Sequence, residues 1–132
     1  MTKELYWLTL TVMMTGLFWM PYILNRFAEV GVMPAIMNPN ADLGAKAMWA
    51  NRMMQAHTNA VENLVVFAPL VLVLQVTGTA SALTASAAAI YFFARLTHYI
   101  VYALGIPALR TIAFLVGFAC QMIIGLTVLG VI

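Results

Sequence analysis

The stretch LYWLTLTVMMTGLFWMPYIL, Leu5–Leu24, carries no charged side chain anywhere along its length. A bilayer's hydrocarbon core is about 30 Å thick, and a helix needs about 20 mainly apolar residues to cross it. This stretch therefore reads as a membrane span. Toward the other end, Thr111–Ile132 is equally free of charge. Between them, Leu83–Leu104 is apolar but interrupted by Arg95 and His98, and Ala45–Val76 is polar at first and strongly apolar from Leu64 onward. The runs are too long for barrel strands and lack their alternation, and in lipid only helices or closed barrels satisfy the backbone. The expected fold is all-α. It is an integral membrane four-helix bundle forming a single domain over residues 1–132, with helices near 5–25, 45–77, 82–104 and 108–131.

Composition agrees. Of 132 residues, 64% are hydrophobic and 8% charged, and the mean hydropathy is +0.98. A soluble domain carries about a quarter charged residues because its surface faces water. Six Lys or Arg and four Asp or Glu cannot coat a soluble protein of this length. A soluble enzyme and a disordered tail are both argued against. The net charge of +2, without a basic run, gives no nucleic acid a footing. Cys120 stands alone, which excludes an intramolecular disulfide and a cysteine-built metal site. No metal is expected. The first apolar run is too long for a cleavable signal peptide and lacks a small-x-small exit, so it reads as a retained span.

The linkers carry turn chemistry. Gly31–Gly44 contains Pro34 and Asn38-Pro39-Asn40, Thr77-Gly78-Thr79 closes the second span, and Gly105-Ile106-Pro107 closes the third. Ser81 or Thr84 can cap the third helix, and Pro107 suits the first turn of the fourth. Short second and third loops make those neighbours antiparallel. Ser86–Ala89, rich in small residues, reads as a packing face. Arg26, Lys46, Arg52 and Arg110 lie on the side of loops one and three, whereas the other side has Lys3 alone. The positive-inside rule puts those loops in the cytoplasm and both termini outside, in an inner or plasma membrane. Tyr6 and Trp7, with Trp19 and Tyr22 about 24 Å further along, read as interfacial anchors.

Ionisable groups inside a membrane are costly and mark function by default. Arg52, Gln55, Asn59 and Glu62 recur at i, i+3, i+7 and i+10, a stripe about 80° wide. Tyr91, Arg95, His98 and Tyr102 recur at i, i+4, i+7 and i+11 and form a second stripe. The second helix enters from the basic side and the third returns to it, so both stripes reach one leaflet, where Arg110 and Thr111 open the last helix. The resulting pocket offers three guanidiniums (Arg52, Arg95, Arg110), the Glu62 carboxylate, two amides, an imidazole and two phenols. Its complement is a small zwitterion of net negative charge, and glutathione fits. The structural alternative has Glu62 pair with Arg52 or Arg95 merely to hold helices together, although buried ion pairs are weak sources of stability. His57 lies about 160° around the helix from Asn59, which faces it to another helix or the interface and argues against a bis-histidine haem with His98. Cys120 and the methionines read as packing and lipid-facing side chains.

Arg52-Met53-Met54-Gln55-Ala56-His57-Thr58-Asn59-Ala60-Val61-Glu62-Asn63 resembles the R-x-x-x-A-H-x-N-x-x-E-N signature of the MAPEG family, which includes microsomal glutathione transferases, leukotriene C synthase and the inducible prostaglandin E synthase. Arg95, His98, Tyr102, Arg110 and Thr111 resemble its second block, and the likeness spans essentially the whole chain. The chain resembles a bacterial-type, microsomal glutathione transferase-like member. The resemblance implies a homotrimer in membrane lipid, with glutathione between subunits on the cytoplasmic side. It implies that Arg52, Asn59, Glu62, His98 and Tyr102 hold the tripeptide beside the Arg95 of the second stripe. It also implies that Arg110 stabilises the thiolate and that Thr111 replaces a serine with a proposed catalytic part. Gln55 and Thr58 depart from the pattern, since characterised members often carry a basic residue there. The implied chemistry is thiol addition to, or substitution on, a lipophilic electrophile, or reduction of a lipid peroxide. The alternative is a non-catalytic membrane protein that binds a lipid or a small anionic metabolite. A small multidrug transporter would want a carboxylate on its first span, and 5–24 has none.

Overall fold

The computed structural model describes residues 1–38 and 44–132, so Pro39 and Asn40 of the expected first-loop turn lie outside the described residues. The described residues form six helices: α1 (Lys3–Leu17), α2 (Met20–Val30), α3 (Val32–Met37), α4 (Met48–Val76), α5 (Ala82–Ala103) and α6 (Pro107–Val128). Three helical stretches are long and apolar enough to cross a membrane: Lys3–Val30, Met48–Val76 and Pro107–Val128. The remaining expected span is α5, which has 22 residues. Arg95, His98 and three tyrosines dilute its apolar character, and it is the helix packed against α1, α4 and α6 alike.

The first span, Lys3–Val30, is one helical stretch whose regular pattern lapses at Phe18 and Trp19, both still right-handed helical in backbone. α1 stops at Leu17 and α2 begins at Met20, immediately before Pro21. Proline has no N–H to give and its ring crowds the preceding turn, so carbonyls there need other partners. The Tyr99 hydroxyl donates to the Phe18 carbonyl at 2.7 Å, and the two rings stack 3.8 Å apart. His57 sits edge-on to Phe18, with Nδ1 2.7 Å from the Tyr22 hydroxyl. Side chains of α4 and α5 thus pack and bond at this junction. On α1 the buried residues are Glu4, Leu8, Thr11 and Thr15, one helical face. Thr11 and Thr15 donate back to Trp7 and Thr11 carbonyls at 2.8 Å each, which removes their polarity from the interface. Glu4 accepts from Thr84 at 2.6 Å, and Thr84 is the second member of the Ser81 capping box that starts α5.

α4 lacks a side-chain cap of its own. Glu29 reaches across from α2 instead, accepting from the Lys46 and Ala47 amides at 2.8 and 3.0 Å. The carboxylate so placed also complements the positive end of the helix. Deeper in the bundle, Leu8, Phe67, Val71, Leu74, Ala87, Ala88, Tyr91, Cys120 and Ile124 form the core, where Phe67 stacks on Tyr91 at 3.8 Å. Ala87 and Ala88 are buried, in line with the small-residue packing face expected there. Large apolar side chains such as Val65, Phe93, Ile112 and Leu115 point outward. Lipid is as apolar as such side chains, so close packing and interhelical hydrogen bonds hold the bundle together.

Candidate functional site

The polar stripes meet where α4, α5 and α6 converge. Tyr102 on α5 donates to the side-chain Oε1 of Gln55 on α4 at 2.9 Å. About one turn deeper on α4 and two on α5, Arg95 Nη2 donates to Asn59 Oδ1 at 2.6 Å and lies 3.5 Å from His98 Nδ1. Because a guanidinium only donates, Nδ1 is the acceptor, and a neutral His98 carries its proton on Nε2. Deeper still, Asn63 Nδ2 donates to the Asn59 carbonyl at 2.9 Å, and Gln121 Nε2 on α6 donates to the Asn63 carbonyl at 3.1 Å. Tyr91 completes this layer, 3.5 Å from Gln121 Nε2. From Tyr102 to Tyr91 the polar track runs about 16 Å along α5, half of a bilayer core.

Two cavities open on this track. One of about 350 Å³ is lined by Met54, Gln55, Thr58, Asn59, Glu62 and Tyr102. The other, about 190 Å³, is lined by Asn59, His98, Tyr102, Arg110, Thr111 and Phe114. They share Asn59 and Tyr102. Arg110 lies over the Tyr102 ring, its Cζ 4.8 Å from the centroid, a cation–π geometry that fixes the guanidinium at the cavity wall. Thr111 is exposed, and its hydroxyl turns to the Pro107 carbonyl at a long 3.3 Å. A larger cleft of about 460 Å³ lies at the other end of the bundle, lined by Lys3, Glu4 and the start of α5, away from all of these groups.

The structure separates the sequence-derived residues by depth and direction. Asn59, Glu62, Tyr102, Arg110 and Thr111 line one cavity or both, and so does His98, although it is 2% exposed. Arg95, also 2% exposed, stands behind Asn59, and its Nε is buried without a hydrogen-bond partner. Arg52 points elsewhere, with Nε donating to the Ala103 carbonyl at 2.9 Å, the last residue of α5. Its guanidinium covers Gly105, whose φ of +77° suits glycine and where an added Cβ would lie 3.2 Å from Arg52 Cζ. Glu62 is exposed on the outer face of α4, and no hydrogen bond or ion pair engages it among the described residues. Its expected alternative partners, Arg52 and Arg95, are both turned to other acceptors. Gln121 is the residue that sequence reasoning passed over. It follows Arg110, Phe114 and Gly117 at i+11, i+7 and i+4, so the same helical spacing would have found it. Among the described residues, no group of three His, Cys, Asp or Glu side chains is placed to hold a metal ion.

Residues 5–130 match the family model described as MAPEG family. Neither a curated protein nor a solved structure matches the chain.

Proposed function

The chain belongs to the MAPEG family, and from that premise we propose that it is a glutathione-dependent transferase acting on lipophilic electrophiles within the bilayer. The family includes glutathione transferases and related membrane proteins, and the apolar helices make this member an integral membrane protein. The observation that carries the reading is that two cavities share Asn59 and Tyr102, with Arg110 held at the wall of the smaller. In the proposed site Asn59, Glu62 and Tyr102 contact glutathione. Arg95 holds Asn59 from behind, His98 stands beside Tyr102 on the wall of the smaller cavity, and Arg52 secures the end of α5 through the Ala103 carbonyl.

A free thiol titrates near about 8.5, so little thiolate exists at neutral pH. The Arg110 guanidinium and the positive N-terminal end of α6 both favour the anion. The Thr111 hydroxyl, only loosely bound to Pro107, is free to turn its proton toward a sulfur in the smaller cavity. The thiolate then adds to an electrophile that arrives from the lipid or displaces its leaving group as the anion. With a lipid peroxide it takes the terminal oxygen as a sulfenic acid while the O–O bond breaks to release the alcohol. A second glutathione converts the sulfenic acid to the disulfide and water.

The reading includes a homotrimer with α5 as a fourth span, both termini on one side and the site facing the cytoplasm. Outward-facing Glu62 supports the trimer. A carboxylate against lipid at mid-span costs about 2.5–3.5 kcal/mol, and a neighbouring subunit seated there removes that cost. Calorimetric titration of the detergent-purified protein with glutathione, followed by conjugation of a generic electrophile, tests the activity. Absence of both binding and conjugation refutes it. Cysteine labelling at Lys3, Asn38 and Ile132 tests the topology, with Asn38 expected to react from the opposite side to the other two.

A further inference from the structure

Arg95 is 2% exposed, so its surroundings are set within one chain, whatever a neighbouring subunit brings to the cavities. Its Nη2 meets Asn59 Oδ1 at 2.6 Å and His98 Nδ1 at 3.5 Å, and neither partner is a carboxylate. A guanidinium has donors only, so each partner must turn an acceptor toward it. The Asn59 amide is held twice over. Asn63 Nδ2 also approaches Oδ1, at 3.3 Å, while donating to the Asn59 main-chain carbonyl at 2.9 Å. With Oδ1 taken by two donors, Asn59 keeps its Nδ2 hydrogens for the two cavities it lines. His98 is constrained in the same sense at longer reach. With Nδ1 toward the cation its proton sits on Nε2, and the ring lines the smaller cavity.

We propose that Arg95 is a positioning residue that sets the hydrogen-bond polarity of two groups on the wall. It makes Asn59 and His98 donors toward the cavities, so the part of the thiol substrate seated against them is a carboxylate, a carbonyl or the thiolate, never the ammonium. The inference rests on the thiol-binding reading above and adds to it how these two groups are aimed. Reversing the Asn59 amide would set its NH2 against a buried guanidinium and leave both without an acceptor. A cation bonded to the far side of an amide or imidazole also polarises it, which strengthens the N–H donors on the near side.

Asn59→Asp separates the two sides of this residue. The aspartate keeps an acceptor for Arg95, so the variant should unfold in detergent at the wild-type temperature or above. It also replaces the amide donor by an acceptor, and calorimetry should show glutathione affinity lower by on the order of tenfold or more. Nitrogen NMR of ring-labelled histidine reads the other partner in the apoprotein, with the His57 signals assigned from His57→Gln. His98 is expected as the Nε2-protonated tautomer in the wild type and as a mixture of tautomers in Arg95→Met. Glutathione affinity within about threefold of wild type in folded Asn59→Asp overturns the inference and leaves the thiol reading standing. A wild-type His98 protonated on Nδ1 overturns it too, as does an unchanged spectrum in folded Arg95→Met. If the wild type binds no glutathione, the thiol reading falls by itself, and the histidine spectra still decide whether Arg95 sets the polarity. Should a variant not fold, the wild-type spectrum decides.

Discussion

Two glutamates, one at the start of α1 and one midway along α4, could hardly differ more in surroundings. Glu4 is 3% exposed, wedged between α1 and α5, and accepts a 2.6 Å hydrogen bond from Thr84. Glu62 is exposed on the flank of α4 and is engaged by nothing within the described residues. Composition and hydropathy treat them alike. Tracing the partners of each distinguishes them. A membrane protein that leaves a carboxylate unengaged on an apolar flank needs something outside the chain to engage it, whereas one whose carboxylate is already bonded has finished a structural task.

The comparison can be broken first at Arg110, across the cavities from Glu62. Arg110→Ala should lower turnover at neutral pH by on the order of a hundredfold, the scale of removing one preorganised stabiliser of a developing anion. The sign follows from charge. Without the guanidinium the bound thiol's pKa rises, thiolate is lost at neutral pH, and activity returns as pH is raised. Thiolate absorbance of the glutathione complex against pH, read in wild type, Arg110→Ala and Arg110→Lys, checks this. Identical titrations in all three would strip Arg110 of the role and leave Thr111 as the group to examine.

Glu62→Gln sharpens the contrast directly. Glutathione affinity should fall by about 2 kcal/mol or more, as losing a charge-assisted partner does, with thermal stability of the apoprotein unchanged. A variant that loses stability but keeps its affinity would make Glu62 a second Glu4. The smallest effect belongs to Glu4→Leu. Thr84 can redirect its hydroxyl to the Ser81 carbonyl 3.0 Å away, which holds the cost to about 1 kcal/mol. Thermal unfolding in detergent should show that loss, and glutathione titration should show none.

Much of the scaffold was legible because apolar run length and the 3.6-residue period are properties of the chain alone. The track of Asn59, Glu62, Arg95, His98 and Tyr102 follows from spacing in the same way. The junction at Phe18 did not follow. Pro21 is visible in the sequence, but the Phe18 carbonyl and ring are met by Tyr99 and His57, whose arrival depends on how α4 and α5 pack there. The directions of the arginines were equally hidden. Period places Arg52 and Arg95 on the site's face, whereas their long side chains find acceptors at Ala103 and Asn59. A flexible side chain carries its head group several ångströms from where its Cα points, and no pattern of spacing records that.

The tie between Arg52 and the end of α5 bears on how a mutational scan of this protein should be read. Replacing Arg52 would release the Ala103 carbonyl and uncover the turn through Gly105, five residues before Arg110. Activity would fall, and a scan scored on activity would rank Arg52 beside Arg110 as though both met the same substrate. Gly105→Ala would give a similar score from a residue with no functional group at all. In this fold, intolerance to substitution around that turn reports the aim of the last helix, and contact with the ligand has to be established by measuring binding.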